Sequence, residues 1–68
     1  MYVLASCCEG NIITRGYNSY SEAYKTMEEE YCAFIEECAD KNDYYIDDHT
    51  AYVAYEDFYR CDWDISEL

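Results

Sequence analysis

The chain has 68 residues, with 16 Asp and Glu against 4 Lys and Arg, a formal net charge of −12 at pH 7, and ten tyrosines. Hydrophobic residues make up 51% and aromatics 19%, with 2 Gly and no Pro, which excludes an acidic disordered tail or a linker. No apolar run reaches the roughly 18 residues of a bilayer span, and the charge disfavours direct contact with nucleic-acid phosphates or anionic lipids.

Tyr2 to Ser6 is short, apolar and partly β-branched. Gly10-Asn11 supplies turn chemistry, and Ile12 to Arg15 reads as a second strand of an N-terminal hairpin closed by Gly16 and Asn18. Ser19-Tyr20-Ser21-Glu22 then matches a capping box, with Ser19 as N-cap and Glu22 reaching back to its amide. Tyr20, Ala23, Tyr24, Met27, Tyr31, Phe34, Ile35 and Cys38 recur at helical spacing, which predicts a helix from about Tyr20 to about Asp40. Tyr44 to Ile46 is a short strand or an ordered loop. Thr50 to Tyr55 alternates, with Ala51, Val53 and Tyr55 on one side and Thr50, Tyr52 and Ala54 on the other. After a turn at Glu56-Asp57, Phe58 to Ile65 alternates again. Tyr59, Cys61, Trp63 and Ile65 face one way, and Arg60, Asp62 and Asp64 the other, as in a half-buried antiparallel strand. The expected fold is one α+β domain over residues 1–68, ordered ββαββ, with about four antiparallel strands and one long helix packed on one face.

The charge is placed in two groups. Glu22, Glu29, Glu36 and Asp40 share a wedge of the helix opposite its apolar stripe, flanked by Glu30 and Glu37. Glu36 and Asp40 are like charges at i,i+4, and the helix C-terminus prefers cations, so stability alone would not select this pattern. Asp47, Asp48, Asp62 and Asp64 belong to the second group, with Asp62 and Asp64 projecting from the outer sheet face beside Tyr52. Carboxylates interleaved with aromatics suit a basic groove: the carboxylates stand in for phosphates, and tyrosine rings offer stacking surface to Arg. A glutamate-rich face is also the ordinary make-up of a solvated helix.

Other chemistry is poorly supported. The five cysteines are odd in number and contain no CxxC pair, and Met1 to Ser6 lacks the basic start of a signal peptide. Reduced thiols in a cytoplasm are expected, with Cys38 and Cys61 acting as small core residues. His49 is the only histidine, so zinc spacings are absent. Residues 40–51 fail the EF-hand pattern, having Tyr45 and Ala51 where Gly and Glu are needed, although clustered carboxylates attract cations. Nothing pairs His49 with a nucleophile, and no glycine-rich phosphate loop exists. No catalytic residue, cofactor or metal is expected.

Tyr17-Asn18-Ser19-Tyr20-Ser21-Glu22-Ala23-Tyr24-Lys25-Thr26-Met27 resembles the strand-to-helix junction of small acidic ββαββ proteins of Firmicutes and their phages. The C-terminal Cys61-Asp62-Trp63-Asp64-Ile65-Ser66-Glu67-Leu68 resembles the aromatic strand that ends them. The resemblance implies the ββαββ order and a phage or mobile-element origin, and it assigns no site residues. In charge and size the chain is also similar to phage-encoded anti-CRISPR and anti-restriction inhibitors that act as DNA mimics.

The expected function is a non-enzymatic inhibitor in the host cytoplasm. It would occupy the basic nucleic-acid-binding site of a larger protein, such as a CRISPR effector or a restriction enzyme. Its contacts would be Glu22, Glu29, Glu36, Glu37, Asp40, Asp47, Asp48, Asp62 and Asp64, with Tyr52 as aromatic anchor. The alternative is a small interaction module that forms a homodimer through a sheet edge or the Tyr-rich face, with charge serving solubility.

Overall fold

The computed structural model describes residues 1–37, 43–56 and 59–68. The chain runs β1 (Tyr2–Cys8), β2 (Asn11–Tyr17), α1 (Tyr20–Glu37), β3 (Asp43–Ile46), β4 (Thr50–Glu56) and β5 (Tyr59–Glu67). The fold is α+β, but the sheet has five strands rather than about four, in the order β2-β1-β5-β4-β3 with every pairing antiparallel. The added strand is Asp43–Ile46, which pairs with Ala51 to Ala54. Its four residues are too few for alternation to reveal, and its pairing with β4 defines it. The expected helix end near Asp40, the core placement of Cys38, and Phe58 lie outside the described residues.

Local chemistry sets the first three elements. Glu9 and Gly10 have positive φ (54° and 87°) and form the two-residue turn between β1 and β2, one residue earlier than the Gly-Asn pair suggests. Left-handed conformation at both central positions matches the right-handed twist of a hairpin, with Gly10 bearing it freely. Ser19 caps α1: its hydroxyl accepts from the Glu22 amide at 3.3 Å, and its carbonyl from the Ala23 amide. Such a cap contributes about 1 kcal/mol.

The helix lies across one sheet face: Tyr20 in its first turn bonds the Asp48 carbonyl of the β3–β4 turn, and Phe34 and Glu37 in its last turns line a cleft with Cys8 and Ile13. The core between them is Leu4, Ala23, Met27, Ala51, Val53, Cys61, Trp63 and Ile65. Tyr24, Tyr31, Phe34 and Ile35 of the helix stripe pack against it. Trp63 meets both Tyr31 and Phe34 edge-on, with ring centroids 6.3 and 6.0 Å away. The terminal strands β1 and β5 lie side by side at the sheet centre, and the Leu68 amide donates to the Met1 carbonyl at 2.9 Å.

The expectation of reduced thiols is corrected at one pair. Cys8 and Cys61 stand directly opposite across β1 and β5 and form a disulfide, with their Cα atoms 4.2 Å apart. Among the described residues, Cys7 and Cys32 are free. No described helix is long and apolar enough to cross a membrane.

Candidate functional site

Strand register assembles the outer sheet face. One row runs across the whole sheet: Tyr45 opposite Tyr52, Tyr52 opposite Asp62, Asp62 opposite Cys7, and Cys7 opposite Ile12. A parallel row joins Thr50, Asp64, Ala5 and Thr14. Polar and aromatic groups therefore fall on β3, β4 and β5, while β1 and β2 contribute the uncharged half.

Within the polar half the groups hold one another. Arg60 donates through Nε to Asp62 Oδ1 at 2.7 Å, and its guanidinium lies 4.3 Å from the Tyr52 ring centroid. Tyr45 stacks on Tyr52 with centroids 5.8 Å apart. The Tyr52 hydroxyl donates to Asp43 at 3.1 Å, and that bond raises its pKa by favouring the protonated phenol. Asp64 is exposed and accepts a long bond from the Ser66 hydroxyl, at 3.5 Å.

The β3–β4 turn divides the next two residues. Asp47 accepts from the amides of His49 and Thr50 at 3.0 and 2.8 Å, and from the Tyr45 hydroxyl at 2.8 Å. These donors, led by the His49 amide, hold its pKa below the ordinary value. Asp47 thus builds the turn and has little capacity left for a partner. Asp48 is exposed, takes the His49 Nδ1 at 2.8 Å, and so raises the His49 pKa. Its carbonyl accepts from the Tyr20 hydroxyl, tying the turn to the helix start. Asp47, Asp48 and His49 bring one ligand atom each within 4.8 Å of one another. Turn hydrogen bonds account for that grouping.

On the helix, Glu22, Glu29, Glu36 and Glu37 are exposed, and Asp40 lies outside the described residues. The first three point away from the sheet, whereas Asp62 and Asp64 occupy its opposite face. The two acidic groups are therefore not one surface. They cover the two sides of a body with principal extents of 35 × 20 × 15 Å.

Sequence reasoning gave no role to the Arg15–Glu30 pair. Arg15 donates both terminal nitrogens to the Glu30 carboxylate at 2.8 and 2.9 Å, and Trp63 Nε1 donates to it at 3.1 Å. The clamp joins α1 to β2 and β5 beside an open cleft of about 380 Å³ that Cys8, Ile13 and Phe34 also line. Hydrogen bonding from Arg15, then from Trp63, lowers the Glu30 pKa below its ordinary 4.5 against the opposing effect of burial. A lowered folded-state pKa means the contribution is present above the unfolded value and lost as pH falls through the folded one. Both side chains are more than one-third exposed, so solvent screening keeps the contribution to about 1 kcal/mol. Glu30→Gln should therefore lower stability by about that amount at neutral pH. Its urea midpoint should converge with that of the parent protein as pH falls through the lowered folded-state pKa of Glu30, where the parent carboxylate is also protonated.

Comparison with protein families, curated proteins and solved structures finds no match to this chain.

Proposed function

We propose that the protein is a non-enzymatic inhibitor that occupies a basic nucleic-acid-binding site of a larger protein. A CRISPR effector or a restriction enzyme is the favoured target class. The observation that carries this reading is the outer-face row in which Asp62, on the central strand, stands between Tyr52 and Cys7, with Asp64 one row away. Charge density supports it. A net charge of −12 over a 35 Å long axis is about one charge per 3 Å, against one per 3.4 Å for a single DNA strand and about 1.7 Å for the duplex. The helix wedge of Glu22, Glu29 and Glu36 extends the same character to the opposite face, as the two backbones of a duplex do.

Arg60 already makes the contacts expected of a target arginine: it pairs with Asp62 and lies over Tyr52. Both features are thus competent to hold a guanidinium, and both are partly occupied from within. Arg60→Gln removes that competitor and should tighten binding to a purified basic target by about threefold to tenfold, the scale of one exposed charge-assisted bond. Calorimetric titration at fixed salt reads the effect. Unchanged or weaker binding would mean that the target does not use Asp62 and Tyr52. For the wild-type protein, duplex DNA should compete for the same site on the target. Simultaneous binding of DNA and protein would sink the mimicry.

A further inference from the structure

We infer that the outer edge of β2 is a self-association surface, on which β2 of a second copy of this chain pairs antiparallel. The inference does not rest on the target-binding reading, because it uses none of the proposed carboxylates.

The backbone makes the first argument. Among the described residues β2 is an edge strand, bonded to β1 alone. The two-residue turn at Glu9-Gly10 makes Cys8 and Asn11 a hydrogen-bonded pair, as are the pairs at every second residue: Ser6–Ile13, Leu4–Arg15 and Tyr2–Tyr17. The 4.2 Å Cα separation of Cys8 and Cys61 fits this alternation, since Cys8 then makes a close, non-hydrogen-bonded pair with β5. The N–H and C=O groups of Ile12, Thr14 and Gly16 are therefore directed away from β1, toward the open edge.

The side chains make the second argument. An open edge invites pairing unless charge, proline, shortness or a cover blunts it. At the opposite edge β3 is blunted: it has four residues, begins with Asp43 and is followed by Asp47. β2 has seven residues and no carboxylate, in a chain with 16 Asp and Glu. Ile12 and Ile13, on opposite faces of the strand, are 72% and 57% exposed.

Charge selects the occupant. The only charged side chains in residues 1–19 are Glu9 and Arg15, so essentially the whole net charge of −12 lies on the rest of the chain. Among the described residues, the helix carboxylates that border β2 are Glu30, which is paired with Arg15, and Glu37 near Ile13, so two copies still repel one another less through this hairpin than through the Asp-bearing β3 edge. A basic partner finds no carboxylate on the strand to attract it. Pairing centred on Thr14 uses all seven residues and is self-complementary about a two-fold axis. It places Ile12 opposite Gly16 of the second copy. Gly16 has no side chain there, and Met1 Sδ lies 3.4 Å from where a Cβ would stand, so Ile12 would meet exposed Met1. The product is a continuous ten-stranded sheet, with both helices on one face and the Asp-bearing β3 edges at the far ends.

Self-association should strengthen as salt rises, because salt screens the repulsion between two like-charged bodies. Sedimentation equilibrium over a wide concentration range tests this. The wild-type mass should climb from 8.1 kDa toward twice that value, and further at high salt. Thr14→Glu sets two carboxylates directly opposite and should hold the mass at 8.1 kDa throughout, while Thr14→Val should associate like the wild type. Amide exchange of the unmodified protein gives an independent reading. The Ile12, Thr14 and Gly16 amides should slow with concentration, and those of Ile13 and Arg15 should not. A wild-type protein that remains monomeric at high concentration and high salt overturns the inference, as does a Thr14→Glu protein that still associates.

Discussion

A protein carrying both Asp62→Asn and Asp64→Asn should bind a basic nucleic-acid-binding target about 30-fold more weakly while keeping its fold. Neither carboxylate supports the core. Asp64 is exposed and only weakly bonded, and Asp62 is satisfied by Arg60 on the sheet surface. Each loses a charge-assisted contact of about 1 kcal/mol, and about 2 kcal/mol together corresponds to roughly 30-fold in affinity. The two losses should be unequal. Asp62→Asn also leaves Arg60 without its carboxylate, so a cation faces the basic groove, and this single variant should be the weaker binder. Equal affinities for the parent and the double variant, with circular dichroism unchanged, would remove the outer sheet face from the binding account.

Reduction of the Cys8–Cys61 disulfide should have the largest effect on stability. The bond spans 53 positions of sequence and joins the first strand to the last at the sheet centre. Closing a loop of that length limits the unfolded chain by about 4 kcal/mol in the chain-entropy treatment. A core in a domain this small supplies only about 3–5 kcal/mol, and the net charge of −12 opposes compaction further. The reduced protein should therefore melt about 20 °C lower, since one kcal/mol moves the midpoint of a small domain by roughly 4–8 °C. It should also recover more stability on adding salt than the oxidised protein does. Melting curves with and without reductant check this, and superimposable curves would contradict it.

The elements that the sequence revealed are those with a local cause. The α1 stripe, the Ser19 cap and the alternation from Tyr59 to Ile65 follow from residues a few positions apart, so a period or a capping side chain betrays them. The shared outer face of Tyr52 and Asp62 is legible too, because alternation assigns each its side, while their direct opposition comes from the β4–β5 register. What escaped depends on pairing between distant segments. For Tyr44 to Ile46 the sequence allows strand or loop, and only the register with β4 decides between them. Arg15 and Glu30 lie 15 positions apart on different elements, and Glu30 on a helical wheel looks like one more solvated carboxylate. Cys8 and Cys61 carry no spacing signature, and only the β1–β5 register brings them together. By sequence Asp47 looks like part of an acidic surface for the same reason: its donors are set by the turn geometry, not by its type. The candidate surface is consequently smaller and more specific than the acidic composition suggested, centred on Asp62, Asp64 and Tyr52, with the helix wedge on the other side of the body.

Self-association through β2 and target binding through the carboxylates respond oppositely to salt, so one titrant separates them. The decisive measurement is the affinity of the protein for a purified CRISPR effector or restriction enzyme as a function of salt, with duplex DNA as competitor. If the carboxylates replace phosphates, the affinity should fall linearly on logarithmic axes. With about six charges engaged, the loss should be about a thousandfold between roughly 50 and 200 mM salt, and DNA should displace the protein. Binding that is indifferent to salt and undisturbed by saturating DNA would contradict the account.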